Sequence, residues 1–278
     1  MRVALTGAKC DTVIVKHVHW PPKFAGSEIS HRRKIRSYQV EIAWYRTWSD
    51  RCSSTCRVPK CWAAKVAGDE VWMVLEDLDA AGFSSRKQSA SVIDAKLCLT
   101  WLANFHATFL GERPKDLWKV GTYWHLDTRP EEWKILQDAP LKQAAATLDQ
   151  KLRASQFQTF VHGDAKLENF CFTKNGSQVA AVDFQYVGGG CGMKDVAYLL
   201  DSCFSETTWE RLESELLTYY FSCLHMALKS QNKTFDFDAL EQDWRSLYPV
   251  AVADFHRFLK GWTSSYWAKN GYRERVTR

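Results

Sequence analysis

Apolar residues change their spacing along this chain, dividing it into a strand-bearing start and a helix-rich remainder. Thr12 to Val18 is a β-branched run interrupted by one lysine, Lys16, and predicts a strand. From Arg33 to Trp48 the apolar positions step by three and four (Ile35, Tyr38, Ile42, Tyr45), which predicts a helix carrying Glu41 at the edge of its buried face. Val71 to Leu75 reads as a strand again. Polar Glu76-Asp77-Leu78-Asp79 follows, ahead of Ala80-Ala81-Gly82, and predicts a hinge. Ser91 to Phe109 predicts a long helix with Ile93, Leu97, Trp101, Phe105 and Phe109 stepping by four, and His106 is expected in the interior beside that stripe. Residues 115–160 have a mixed pattern, with a helix expected from Leu141 to Leu152. Trp244 to Trp267 is aromatic-rich. Its Leu247, Ala251, Phe255, Phe258, Trp262 and Tyr266 share one helical face, expected to be mostly core.

The densest chemistry lies between these elements. Residues 162–169 read His-Gly-Asp-Ala-Lys-Leu-Glu-Asn, and Asp183-Phe184-Gln185 follows. Phe170 to Thr173 and Gln178 to Val182 predict two short strands around Asn175-Gly176, a dipeptide favoured in two-residue type I′ turns. Such a hairpin brings Asn169, at its start, and Asp183, at its end, to the same space. Asp164, then Asn169 five residues on, then Asp183 across a hairpin, is the spacing of kinase-type phosphoryl transfer. A carboxylate is needed there to orient the attacking hydroxyl and take up its proton. Oxygen ligands are needed to hold Mg²⁺, a hard cation, against ATP phosphates. Kinases also grip phosphates with a strand lysine held by a glutamate of the next helix, and Lys16 and Glu41 stand in that order.

Composition narrows the field. The 278 residues suffice for one two-lobed domain, and 46% hydrophobic with 25% charged residues is ordinary for a globular protein. No apolar run approaches the roughly 20 residues needed to span a bilayer, and the first residues lack a signal-peptide core, so no membrane association is expected. The net charge of +5 is mild. The basic run His31-Arg-Arg-Lys-Ile-Arg36 is read as a solvated helix start rather than a nucleic-acid surface. Nine cysteines, an odd number without a Cys-x-x-Cys pair, suit reduced thiols in a cytoplasmic protein. Cys52, Cys56 and Cys61 have no histidine at zinc-finger spacing, so no zinc is expected there.

These residues carry a resemblance. His162-Gly-Asp164…Asn169, Val182-Asp-Phe-Gln185 and Asp195-Val-Ala-Tyr-Leu-Leu200 resemble the ecdysteroid-kinase-like group, akin to choline kinases and aminoglycoside phosphotransferases. Arg32 to Glu41 and Trp101 to Ala107 resemble two of its helices, and the likeness spans roughly Thr12 to Leu200. It implies an α+β, two-lobed protein-kinase-like fold. A small β-rich N-lobe (1–78) and a mainly helical C-lobe (79–278) would hold MgATP between them. Carried over, Asp164 is the catalytic base, Asn169 and Asp183 are Mg²⁺ ligands, Lys16 holds phosphates and Glu41 positions it. Glu76 and Leu78 lie where backbone groups meet adenine. His162 anchors the catalytic loop, and Asp195 is expected to cap the next helix, which alone would account for it, or also to brace the loop. Asp164-Ala-Lys-Leu-Glu-Asn169 also resembles the Asp-Leu-Lys-Pro-Glu-Asn of Ser/Thr protein kinases, whose lysine meets the γ-phosphate. Lys166 is expected to do so here.

One departure stands out: Gly7 is the only glycine before Lys16, so the glycine-rich flap over the phosphates is incomplete. A start upstream of Met1 is expected, or else weak ATP binding. Only eleven residues separate Asp183 from Asp195, Gly188-Gly189-Gly190 among them, with no Ala-Pro-Glu peptide platform. That favours a small-molecule hydroxyl as acceptor, and leaves its identity and the oligomeric state open. Two alternatives remain, a catalytically weak kinase-like binding module and an antibiotic phosphotransferase with an acidic pocket. Glu206, Glu210, Glu213 and Glu215 read as an exposed helix face instead.

Overall fold

A computed structural model describes residues 1–8, 10–20, 27–263 and 271–277. The first part is a four-stranded antiparallel sheet. It comprises β1 (Arg2–Ala4), β2 (Thr12–His19), β3 (Cys61–Ala67) and β4 (Glu70–Glu76) in the order β1-β2-β4-β3. Helix α1 (Glu28–Ala43) connects β2 to β3. Val71, Met73 and Leu75 of β4 join Val40 and Ile42 of α1 in an apolar core that continues into the second lobe. Burying each such side chain contributes about 1.5–3 kcal/mol.

Helix α1 begins at Glu28, five residues before the apolar periodicity starts. Ser27 caps it by accepting from the Ser30 amide (3.2 Å). It ends in a π-helical turn, Trp44–Trp48, not as a plain α-helix. The extra residue of a π turn rotates the chain, so the consecutive Trp44 and Tyr45 both point inward. The basic run is not simply solvated. Arg33 donates to the Thr128 carbonyl (2.7 Å) and Arg36 to that of Leu117 (2.9 Å), which ties α1 to the second lobe.

The second lobe is mostly helical: α2 (Val92–Phe109), α3 (Pro130–Ile135), α4 (Ala139–Arg153), α5 (Met193–Cys203), α6 (Glu206–Ser230), α7 (Phe237–Trp262) and α8 (Tyr272–Thr277). Among them run β5 (Thr159–Val161), β6 (Phe170–Phe172), β7 (Val179–Ala181) and β8 (Gly188–Gly190). In α2 the capping box of Ser91 and Asp94 fixes the start. Ile93, expected on the buried stripe, sits in that first turn beyond the core and is 70% exposed. On α7, Leu247, Ala251, Phe255 and Phe258 are buried as expected, whereas Trp262 at the helix end is half exposed; Tyr266 and Trp267 lie outside the described residues.

The β6–β7 hairpin forms with Phe170 opposite Ala181 and Phe172 opposite Val179. Its connection is longer than a two-residue type I′ turn. Gly176 alone has positive φ (+63°), and its amide closes a turn on the Thr173 carbonyl at 2.9 Å. The Asn175 side chain accepts from the Ser177 amide (3.2 Å) and from Thr173 Oγ1 (2.7 Å). Those bonds favour the wider loop over the tight one. The triple glycine is no loose link but strand β8, paired with β5. A Cβ on Gly188 would lie 2.3 Å from the Trp118 carbonyl oxygen, so the close approach requires glycine.

Helix α8 docks on α7 beside His256, whose Nδ1 is 3.1 Å from Thr277 Oγ1. Burial, with Lys260 and Arg273 nearby, pulls the His256 pKa down to about 4. The folded protein therefore keeps this imidazole neutral where the unfolded chain takes up a proton. Stability is full above about pH 6.5 and falls at about 1 kcal/mol per unit towards pH 4. Urea midpoints between pH 7 and 4.5 should show this slope, flatter in His256→Asn. Equal slopes would refute the assignment.

Candidate active site

Lys16 sits mid-strand on β2, opposite Met73, and its Nζ is 2.6 Å from Oε2 of Glu41 on α1. Glu41 is buried (2% exposed). Burial raises its pKa, the Lys16 charge opposes this, and the negative charge of Asp183 adds to the rise. Gln185 reaches the same place: Ser37 Oγ of α1 is 3.3 Å from its Oε1.

Asp164 and Asn169 flank a 3₁₀ turn, Leu167–Asn169. The Asn169 amide nitrogen donates to the Asp164 carbonyl (2.7 Å) and to its Oδ2 (3.0 Å). Both amide hydrogens are thereby engaged, leaving the side-chain oxygen Oδ1 of Asn169 as the atom for a cation. Asp164 is raised above the ordinary aspartate range, chiefly by burial. Lys166 and His162 oppose the rise, and Asp183 adds to it. Lys166 is half-buried, and its charge acts on Asp164.

The hairpin performs the expected return: the Val182 amide donates to the Asn169 carbonyl at 3.0 Å. Asp183 follows with φ +68°, a left-handed conformation uncommon outside glycine and costing on the order of 1 kcal/mol or more. Phe184 plugs the core below, stacked on Trp44 (4.5 Å between centroids) and against the His162 ring (4.6 Å). Asp183 Oδ1 is buried without a hydrogen-bond partner among the described residues. A buried, unpaired carboxylate oxygen is costly unless something binds it. Together with the free Asn169 oxygen it forms an all-oxygen donor set suited to a hard divalent cation. The residues thus fit Mg²⁺.

Asp195 does not cap α5; the N-cap is Gly192, with no side-chain bond. Its carboxylate, fully buried, instead accepts from the amides of His162 (2.5 Å) and Gly163 (3.0 Å) and lies 3.2 Å from His106 Nε2. His106 Nδ1 is in turn 2.7 Å from the Tyr220 hydroxyl. His162 bonds through Nε2 to the Val182 carbonyl (3.0 Å) and through Nδ1 to the Asp164 amide (3.2 Å). The loop is thus pinned on both sides of Asp164. Gly163 has φ +80°, and a Cβ there would meet the Tyr186 carbonyl oxygen at 2.1 Å.

A cavity of about 350 Å³ opens between the lobes, lined by Ile14, Lys16, Glu41, Tyr45, Leu75, Val182 and Asp183 and by the hinge residues Glu76 to Asp79. That volume is within the range of small-ligand sites. The Leu78 amide has no hydrogen-bond partner among the described residues, while its carbonyl accepts from Phe83 (2.8 Å). The Glu76 side chain is engaged by Arg57 (2.5 Å) and the Lys60 amide (3.0 Å), and its own amide donates to the Lys60 carbonyl (2.8 Å), so of its polar groups the backbone carbonyl is the one left for a ligand.

Sequence reasoning missed two arginines on this cavity. Arg2 of β1 grips Asp77 (2.6 Å) and Asp79 (2.5 Å), and Arg86 grips Asp79 from the other side (2.9 Å). The hinge is clamped by ion pairs that no local spacing announces. Tyr198, quoted only as part of a motif, faces Asp164 and Tyr123; burial and the Asp164 charge hold its phenol protonated. The four glutamates of α6 do not join this centre: Glu206 pairs with Arg273, Glu210 with Arg275 and Glu215 with Lys96, and Glu213 is half-buried.

Comparison with known proteins agrees with the geometry. Residues 6–231 match the model of the phosphotransferase enzyme family. The chain belongs to this family. As a member it is a small-molecule kinase, a phosphotransferase with a hydroxyl group as acceptor. It is similar to an aminoglycoside phosphotransferase from Streptomyces rimosus in complex with ADP and streptomycin: 15% identity, 85% of this chain and 86% of that chain, TM-score 0.47. It is also similar to an ethanolamine kinase from Plasmodium vivax: 12% identity, 95% and 74% coverage, TM-score 0.48. At such values neither carries an argument about this chain's acceptor. No curated protein matches. No helix among the described residues is long and apolar enough to cross a membrane.

Proposed function

We propose that the cleft transfers the γ-phosphoryl group of ATP, with Mg²⁺, to the hydroxyl of a small molecule. Lys16, fixed by Glu41, binds the phosphates, and the backbone of Glu76 and Leu78 meets adenine. Asn169 and Asp183 hold the cation, which when bound would neutralise charge developing on the phosphates. Asp164 orients the acceptor hydroxyl and receives its proton. Lys166 faces the γ-phosphate. The N-lobe is 1–78 and the C-lobe 79–278, and the compartment is the cytoplasm, in keeping with nine unpaired thiols.

Asp183 carries the reading: a buried carboxylate oxygen without a partner, in a left-handed backbone, whose charge reaches both Glu41 and Asp164. The groups nearest Asp164 also bear on the acceptor. Tyr123, Tyr186 and Tyr198 are phenols that burial keeps neutral, and Glu206, Glu210 and Glu215 of α6 are spent on other ion pairs. This supports a neutral, ecdysteroid-like or similar hydroxyl compound over a polycationic antibiotic. ADP release across a panel of sterol, amino-alcohol, sugar and aminoglycoside hydroxyls tests it, with Asp164→Asn as the blank. Turnover confined to aminoglycosides, or no turnover above the blank, would overturn it.

Lys166→Met should lower kcat by roughly tenfold or more while ATP affinity changes far less. Removing the Lys166 charge also raises the Asp164 pKa further. The acid limb of the rate profile, where protonation of Asp164 stops the reaction, should therefore move to higher pH. An unchanged kcat and limb would remove Lys166 from the mechanism.

A further inference from the structure

On the outer face of the N-lobe, three metal-ligating side chains converge outside the cleft. His17 and His19 alternate on β2 and point to one side, and Glu70 stands directly opposite His19 on β4. His17 Nε2 is 3.5 Å from Glu70 Oε2, and His19 Nε2 is 3.3 Å from Glu70 Oε1. All three ligand atoms lie within 4.8 Å of one another. Donors bound about 2.0–2.1 Å from a tetrahedral zinc ion stand roughly 3.3 Å apart, and each histidine already stands near that distance from one oxygen of the Glu70 carboxylate, His17 from Oε2 and His19 from Oε1.

The set is also supported from behind. The Trp72 indole N–H donates to Glu70 Oε2 at 2.9 Å, which fixes the direction of the carboxylate. The same indole stacks on the His17 ring, 3.5 Å between centroids and 13° between planes. One side chain therefore orients two of the three donors, as outer-shell groups do around metal ions. The histidines are partly exposed (31% and 61%), so a cation can reach them.

We propose that His17, His19 and Glu70 bind a divalent transition metal ion, with zinc the best fit to two imidazoles and one carboxylate. The remaining position is open to water or a partner's donor. A metal ion there would staple β2 to β4 one residue from Lys16, fixing the strand that carries the phosphate-binding lysine. Oxygen-only cations such as Mg²⁺ would not compete for it.

Titration of the full chain with Zn²⁺ by calorimetry, and with Co²⁺ by absorption spectroscopy, tests this. Wild type should bind one ion that the His17→Ala/His19→Ala variant does not. Trp72→Phe, which keeps the stacking ring but loses the N–H, should weaken binding roughly tenfold. The cobalt spectrum should lack the intense thiolate charge-transfer bands that a cysteine site produces. Circular dichroism and metal-free melting confirm that the variants fold. Absence of saturable binding, equal binding by wild type and the double variant, or a thiolate spectrum abolished by neither substitution would each overturn the proposal.

Discussion

Replacing Asp164 by Asn is expected to cut the rate of phosphoryl transfer by roughly 10²–10⁴, the usual contribution of a positioned proton acceptor. ATP affinity should stay within the same order of magnitude. The amide has the shape of the carboxylate and can still meet Asn169, which now touches Oδ2 at 3.0 Å. It cannot receive a proton. Steady-state ADP release together with calorimetric ATP binding separates the two effects. A variant that loses nucleotide binding and turnover in parallel would show that Asp164 supports the fold of the cleft, not the chemistry.

The second large effect concerns stability. Asp195→Ala removes a fully buried carboxylate that accepts from two backbone amides and contacts His106. Those donors would be stranded in the interior, where no water can replace the lost acceptor. The expected cost is about 3–5 kcal/mol, measured as a drop in unfolding free energy in urea. Asp195→Asn keeps one acceptor oxygen and should lose less. A loss below about 1 kcal/mol for alanine, within the range of ordinary surface changes, would contradict the bracing role.

The proposed centre from His162 to Gln185 stands out in the sequence because phosphoryl transfer demands fixed residue types at fixed separations. Two strands flanking an Asn-Gly dipeptide then sufficed to bring Asn169 and Asp183 together. The turn type was not legible: Asn175 spends its side chain on Thr173 and Ser177, a local competition that the dipeptide alone does not reveal. Asp195 looked like a helix cap because carboxylates in first turns often are. Its real partners come from a loop 32 and 33 residues away, and only the packed structure supplies them. The part that Arg2 plays in the hinge clamp with Asp77 and Asp79 was invisible for the same reason, since ion pairs 75 and 77 residues apart leave no periodic trace. Likewise the polar start of α1, Glu28 to Arg32, offered no apolar stripe, and its beginning rests on the Ser27 cap.

The account stands on Asn169 and Asp183 serving as one cation site at the nucleotide. Crystals grown with ADP and Mn²⁺, measured at the manganese absorption edge, test that directly. The prediction is an anomalous peak bonded to Asn169 Oδ1 and the Asp183 carboxylate, touching the ADP phosphates, with Lys16 still paired to Glu41. Bound ADP with the manganese elsewhere, or with no manganese and Asp183 turned away from the cleft, would contradict it.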